Sequence, residues 1–131
     1  EYPEAGIFPW AKALSAAESD VKEQMMEFVK GLPSKGVRFV SSSEYYLEML
    51  PENADKGSGL KVVAKSLEKT PKVVFGIGDY YNDIELLKAA DIAVVPQNAP
   101  EDIKSMADLV VGHCYTGAVA DLIDYILEKA E

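Results

Sequence analysis

Two aspartates and an asparagine stand close together after a short apolar run. Asp79, Asn82 and Asp83 follow residues 72–77, which have the length and composition of a buried strand, and a helical pattern begins beside them. Asp79 is therefore predicted at the carboxyl end of a strand, with Asp83 one helical turn further on. Carboxylate and amide oxygens in this arrangement suit Mg²⁺, which typically takes one or two protein carboxylates together with waters and substrate phosphate.

Simpler explanations exist for each of these residues. Asp83 in a first helical turn is favourable for the helix dipole alone, and Asp79 or Asn82 could cap the helix. Other motifs fit less well, because Gly76 and Gly78 lack the third glycine of a dinucleotide-binding loop, and neither a P-loop nor an EF-hand spacing is present. The strand before Asp79 therefore favours the metal site.

A second candidate lies earlier in the chain, where Lys56 stands beside Gly57 and before a helix that Ser58 is predicted to cap. A lysine charge together with free backbone N–H groups at a helix start can hold a phosphate oxyanion. Taken alone, such a segment is more typical of a surface turn.

Residues 56–131 alternate amphipathic helical patterns with short apolar runs. Strands are predicted at 72–77, 92–95 and 109–111, and the helices lie before the first strand and after each strand. Asn98 with Glu101 is predicted to cap one of these helices. Near-continuous apolar strands between helices indicate a parallel, Rossmann-like sheet, which binds ligands at the carboxyl ends of its strands.

Residues 1–55 do not show this regular alternation, and they contain several aromatic residues. Asp20 with Glu23 predicts a capping box for a helix that ends at Gly31. Two strand-like runs follow, at 37–41 and 45–50, while residues 1–18 stay unassigned.

The order of the two candidates is more informative than either alone. Lys56-Gly57, then a helix, then an apolar strand that ends in Gly78-Asp79-x-x-Asn82-Asp83 resembles the haloacid dehalogenase superfamily, specifically its Cof-type sugar-phosphate phosphatases. The resemblance covers about residues 36–131. It implies an α/β fold in which residues 56–131 form a three-layer, Rossmann-like half-core with parallel strands. Residues 1–55 would be the last part of an α+β cap domain.

The resemblance also implies a role for each motif residue. Lys56 would be catalytic by steadying the nucleophile and binding the phosphate, and Asp79 would be a catalytic ligand of Mg²⁺. Asp83 would support the metal, directly or through water. Asn82 would contact the phosphate or a metal-bound water.

Asn98 and Tyr81 are further residues that could line the site. A helix cap explains Asn98 equally well, and simple packing explains Tyr81. His113 and Cys114 could form a nucleophile–base pair, but adjacent residues of an extended chain point apart, which disfavours this interpretation.

One departure from the family pattern limits what this chain could do. The family's first motif, Asp-x-Asp, supplies the nucleophile and the general acid/base, and it does not occur in these 131 residues. The resemblance therefore implies a phosphomonoester hydrolase that acts on a small phosphorylated substrate through an aspartyl-phosphate. A missing N-terminal half would supply the nucleophile, and this chain alone is expected to be inactive. The alternative is a non-catalytic module of the same fold that binds phosphate or a partner.

Composition narrows the possible partners and location. The formal charge is -9, from 22 acidic and 13 basic residues, which argues against nucleic acid and anionic membranes as partners. Cys114 is the only cysteine, so no intramolecular disulfide can form, which fits a reducing cytoplasm. No apolar run approaches the ~18 residues of a membrane span.

Overall fold

The computed structural model describes residues 10–33 and 35–130. The chain divides into two compact units, Glu1–Asn53 and Ala54–Glu131, which are called unit 1 and unit 2 below. The sequence placed a domain boundary between residues 55 and 56. Residues 1–9, half of the unassigned start of the chain, lie outside the described residues.

Unit 1 contains a three-stranded antiparallel sheet and one helix. The strands are β1 (Ala13–Ala16), β2 (Val37–Ser41) and β3 (Tyr46–Pro51), with β3 in the centre, and the helix α1 spans Ser19–Lys30. The strand β1 was not predicted, because its sequence Ala-Leu-Ser-Ala lacks the β-branched and aromatic residues that mark strands.

The start of α1 differs from the prediction. Glu18 occupies the N-cap position and no side chain caps the helix, so the predicted capping box of Asp20 and Glu23 is wrong. Asp20 lies within the first turn, where its charge still favours the helix dipole. The end at Gly31 is confirmed.

Unit 2 is built on a parallel sheet in the order β4-β5-β6. Its strands are β4 (Phe75–Ile77), β5 (Ile92–Pro96) and β6 (Leu109–Val111). Its helices are α2 (Lys56–Ser66), α3 (Ile84–Ala89), α4 (Glu101–Lys104) and α5 (Ala118–Ala130), with single 3-10 turns at Tyr81–Asp83 and Cys114–Thr116. The predicted parallel α/β arrangement is therefore confirmed.

The sheet of unit 2 is covered on both faces. Val95 of β5 packs in one apolar cluster with Leu87 of α3 and Ile103 of α4. Its neighbour Val94 packs in a second cluster with Leu122 of α5. Because successive strand residues point to opposite faces, the two clusters lie on opposite sides of the sheet and make three layers.

Two predicted helix caps in unit 2 are wrong. Asp55, not Ser58, caps α2: its carboxylate accepts hydrogen bonds from the Ser58 N–H at 2.7 Å and the Ser58 hydroxyl at 2.8 Å. The helix therefore begins earlier, and Lys56 is its first residue. Pro100 occupies the N-cap position of α4, where Asn98 makes no cap.

Within residues 10–33 and 35–130, no helix is long and apolar enough to cross a membrane.

Candidate functional site

The turn after β4 carries Asp79 away from the sheet. The Gly78 N–H donates to the Val94 carbonyl at 3.1 Å, which is the last ladder contact before the turn. A Cβ built on Gly78 would lie 2.4 Å from the Cβ of Asp83. Only glycine therefore lets the turn close directly over the Asp83 side chain.

Asp83 lies in the interior of this turn, with 4% of its surface exposed. One carboxylate oxygen, Oδ2, accepts hydrogen bonds from the N–H groups of Asp79 at 3.0 Å and Tyr80 at 3.3 Å. The other, Oδ1, accepts a hydrogen bond from the ammonium of Lys56. Both oxygens of this buried carboxylate are thus engaged.

Lys56 reaches Asp83 because two helices approach each other closely. A Cβ on Gly57 would lie 2.1 Å from the Glu85 carbonyl oxygen and 3.2 Å from the Ala89 Cβ. The glycine after Lys56 therefore sets the separation of α2 from α3. About half of the Lys56 side chain remains exposed, although its ammonium contacts the buried Asp83 carboxylate.

Asp79 and Asn82 complete the set that the sequence singled out. Asp79 is exposed and Asn82 is half-buried. No side-chain hydrogen bond or ion pair of either residue is found in the part of the chain that the structure describes. No group of three or more His, Cys, Asp or Glu side chains that could hold a metal occurs within residues 10–33 and 35–130. The exposed carboxylate of Asp79 and the amide oxygen of Asn82 are oxygen donors of the kind that Mg²⁺ prefers.

Tyr81 points from the same turn towards α4. Its hydroxyl makes a long hydrogen bond, 3.5 Å, to the Asp102 carboxylate, and its ring meets that of Tyr80 edge to face at 5.0 Å. Partial burial raises the pKa of Tyr81, and the hydrogen bond to Asp102 and its negative charge raise it further.

Asn98 belongs to the neighbouring loop, after β5. Its side-chain oxygen accepts a hydrogen bond from the Cys114 N–H at 2.8 Å and so ties this loop to the one after β6. His113 and Cys114 lie closer than predicted, with Sγ 3.7 Å from Nδ1. The Nδ1 atom also accepts the Tyr115 N–H at 3.2 Å, so this nitrogen holds the local turn.

The structure brings Lys56 and Asp79 to the same edge of unit 2, with Asp83 between them. Asn82 shares the turn, while Asn98 lies on the next loop. Sequence reasoning missed how Gly57 contributes to the site. A glycine inside a helix often marks a close approach of another backbone, but the predicted cap at Ser58 left Gly57 outside the predicted helix.

The comparison with known proteins supports the family resemblance that the order of the motifs indicated. The family model of haloacid dehalogenase-like hydrolases matches residues 5–123. A phosphoglycolate phosphatase from Methanopyrus kandleri is 34% identical over 109 residues, which are 83% of this chain and 47% of that protein.

Solved structures of haloacid dehalogenase-like proteins also resemble this chain. A haloacid dehalogenase-like hydrolase from B. subtilis has a TM-score of 0.78 at 30% identity, covering 92% of this chain and 43% of that one. BT4131, a sugar phosphatase of HAD subclass IIB, shares the fold with a TM-score of 0.68 at 20% identity, covering 80% of this chain and 40% of that one. This chain thus spans less than half the length of each of these proteins.

The resemblance to haloacid dehalogenase-like proteins that was drawn from Lys56 and from the Asp79–Asp83 turn is confirmed by these matches. The chain belongs to the haloacid dehalogenase-like hydrolase family.

Proposed function

We propose that this chain is part of a Mg²⁺-dependent phosphomonoester hydrolase that acts on a small phosphorylated substrate. The observation that carries the proposal is that Asp83 links the Lys56 ammonium to the turn of the exposed Asp79, at the carboxyl edge of one parallel sheet. Ligands of open α/β sheets bind at this edge. A cation and a lysine charge side by side are what a transferring phosphoryl group requires.

The relatives support the substrate class. The similar protein from Methanopyrus kandleri is a phosphoglycolate phosphatase, and BT4131 is a sugar phosphatase. Both names describe hydrolysis of small phosphate esters. We therefore propose a sugar phosphate or another small phosphate ester as the substrate.

The nucleophile would come from sequence that the relatives have beyond this match. We propose that a missing N-terminal half supplies an aspartate whose carboxylate attacks phosphorus and expels the alcohol. Water then attacks the aspartyl-phosphate, which releases inorganic phosphate and restores the carboxylate. On this proposal the present chain alone has negligible hydrolytic activity.

The residues of this chain would bind and orient the phosphoryl group. Asp79 would hold Mg²⁺, which when bound neutralises charge on the phosphoryl oxygens. Lys56 would place its ammonium against the same oxygens and steady the nucleophile. Asn82 would donate its amide N–H to phosphate or orient a metal-bound water.

Replacement of the metal ligand tests this function. In the full-length protein, Asp79→Asn should lower Mg²⁺-dependent hydrolysis of a generic phosphomonoester by about 10²-fold or more, because a group that stabilises transition-state charge is lost. Asp124→Asn, an exposed residue of α5, is the matched control and should leave hydrolysis unchanged. Unchanged activity of Asp79→Asn would remove Asp79 from the site.

The absence of Asp-x-Asp from this chain keeps a second candidate open, a phosphate- or partner-binding module of the same fold. Reading the coding sequence upstream of Glu1 separates the two. A strand that ends in Asp-x-Asp supports the hydrolase, and a reading frame that begins near Glu1 supports the binding module.

A further inference from the structure

We propose that one flank of α5 is a docking surface for a partner chain that presents an amphipathic helix with lysine or arginine beside its apolar residues. The surface consists of Val119, Ile123 and Leu127, called the outer row below, with Asp124 and Glu128 along its border. It lies away from the proposed hydrolytic site, and docking there does not require hydrolysis.

The outer row is exposed although all its residues are apolar. The exposed fractions are 57% for Val119, 51% for Ile123 and 62% for Leu127. The three residues are spaced by four, so they follow one line along a helix of 13 residues. A continuous exposed apolar line of this kind marks an interaction surface, and amphipathic partner helices bind to such lines.

A different face of α5 holds the helix on its sheet. The residues that pack against the strands are Ala118, Leu122 and Ile126, and each outer-row residue follows one of them by a single position. Tyr125 instead precedes Ile126, and its ring meets that of Phe75 in β4 edge to face at 6.5 Å. The outer row therefore lies on the opposite flank of α5, towards the outer strand β6.

The missing half of the proposed hydrolase would approach the other end of this sheet. Its nucleophile has to reach Lys56 at the start of α2 and Asp79 after β4. In the sheet order β4-β5-β6, the strand β5 separates that end from β6. We therefore expect the outer row to stay uncovered in the full-length protein.

The charges beside the outer row indicate the kind of partner. Asp124 and Glu128 are exposed, and each follows an outer-row residue by one position. Lys129, the only basic residue of α5, lies 5.8 Å from the centre of the Tyr125 ring, on the flank that faces β4. The border of the outer row is therefore acidic and complements a basic partner.

The same charges disfavour a second copy of this chain as the occupant. A two-fold pairing of α5 with its copy, centred on Ile123, would place Asp124 beside the equivalent aspartate of the copy. Like charges brought together across an interface cost binding free energy, whereas a lysine or arginine in that place would contribute to it.

Two synthetic helical peptides test the proposal on the full-length protein. Both have leucine at every third or fourth position, and the flanking residues are lysine in one peptide and glutamate in the other. Fluorescence anisotropy of the labelled peptides gives their affinities. The lysine peptide should bind at least about tenfold more tightly than the glutamate peptide, and added salt should reduce this difference.

Variants of α5 show whether the peptide binds at the outer row. Ile123→Gln combined with Leu127→Gln should weaken binding of the lysine peptide by about tenfold or more, because apolar anchors carry most of the binding energy of such surfaces. Phe28→Gln on α1 is the matched control, since Phe28 is also an exposed apolar helix residue, at 69%, and binding should not change.

Reversal of the border charges tests the preference for a basic partner. Asp124→Lys combined with Glu128→Lys should make the glutamate peptide the tighter ligand. Glu23→Lys combined with Glu27→Lys reverses two exposed charges on α1 and should leave the preference for the lysine peptide intact.

Three results would overturn the proposal. The full-length protein could fail to bind the lysine peptide, or bind both peptides equally. The outer-row variant could bind as tightly as wild type. Light scattering could show that the wild-type protein is a dimer that Ile123→Gln with Leu127→Gln converts to a monomer, in which case a second copy occupies the outer row.

Discussion

The two units bury different kinds of side chain. Among the residues whose burial is described, unit 1 buries the hydrophobic residues Val40 and Leu47, whereas unit 2 buries nine. The buried polar residues of unit 1 are Lys22, Ser41 and Glu48. Unit 1 is thus held in part by polar contacts between its elements, while unit 2 has an apolar interior on both faces of its sheet.

Lys22 shows how the polar contacts of unit 1 work. Its ammonium donates to the Ser41 hydroxyl at 3.0 Å and to the Ser43 carbonyl at 3.4 Å, which ties α1 to the end of β2. In unit 2 the comparable buried polar residue is Asp83, at the carboxyl end of the sheet. A rigid apolar core therefore leaves polar side chains at its edge, where they can be held precisely enough for chemistry.

Core truncation should give the largest contrast between the units. Ile103 of unit 2 is 1% exposed. Its replacement by alanine should lower the free energy of unfolding by about 3–5 kcal/mol, because a cavity remains among well-packed neighbours. Leu47→Ala in unit 1 should cost about 2–3 kcal/mol, because its surroundings are less apolar and relax more easily. Urea unfolding followed by NMR signals of both units gives the two values.

The same experiment also tests whether the two units unfold separately. If Leu47→Ala lowers the stability of unit 2 as much as that of unit 1, the two units unfold together. Their different interiors would then not describe separate folding units.

A glycine pair within α2 tests how strongly unit 2 depends on close packing. Gly57→Ala should cost about 1–3 kcal/mol, since the new methyl group meets the backbone of Glu85. A Cβ added to Gly59 would have no atom within 4 Å, so Gly59→Ala should instead stabilise the helix by about 0.5–1 kcal/mol. Thermal unfolding of both variants is the measurement. A stabilising Gly57→Ala would show that the two helices separate at little cost.

The smallest expected effect concerns pH. The pKa of Tyr81 is raised above its ordinary value of about 10, so the fold favours the neutral phenol. Its contribution to stability is complete below pH 10 and declines as pH rises through the folded-state pKa. Tyr81→Phe should therefore lose less stability than wild type between pH 8 and pH 11.

The effect should be modest, because the Tyr81 side chain is more than a third exposed. Tyr115→Phe, whose residue is 91% exposed, is the control and should follow the wild-type profile. A Tyr81→Phe profile that coincides with wild type would show that neither the partial burial of Tyr81 nor its bond to Asp102 raises the pKa in solution.

The elements of unit 2 could be predicted because their apolar runs are short and clearly bounded. The strand at 109–111 was predicted with its observed bounds, and the residue pattern placed Asp79 at the carboxyl end of its strand, while the family resemblance placed Lys56 in the same site. The order of strands and motifs fixes that edge, since parallel strands bring their carboxyl ends together. The contact between Asp83 and Lys56 was not predicted, because it depends on the spacing of two helices.

Helix caps and faces were harder to predict. Asp55 and Ser58 are both good caps, and only the folded backbone shows that the Asp55 carboxylate receives the Ser58 N–H. On α5 the apolar residues Val119, Leu122 and Ile123 have the spacing of one helical face, yet Leu122 is buried while Val119 and Ile123 are exposed. A single helix over a three-stranded sheet buries a narrow stripe, and periodicity alone does not show which of two adjacent apolar stripes it is.

Gly57 has a consequence for anyone who would transplant this site. The distance between the lysine and the carboxylate is set by a helix-to-helix contact and not by any loop, so loop grafting would carry over the residues without their spacing. The two helices and the turn between them span residues 55–89, and this block also needs a neighbouring strand in place of β5, with which β4 pairs. A designer who redesigns either helix must restore a contact that admits no side chain at position 57.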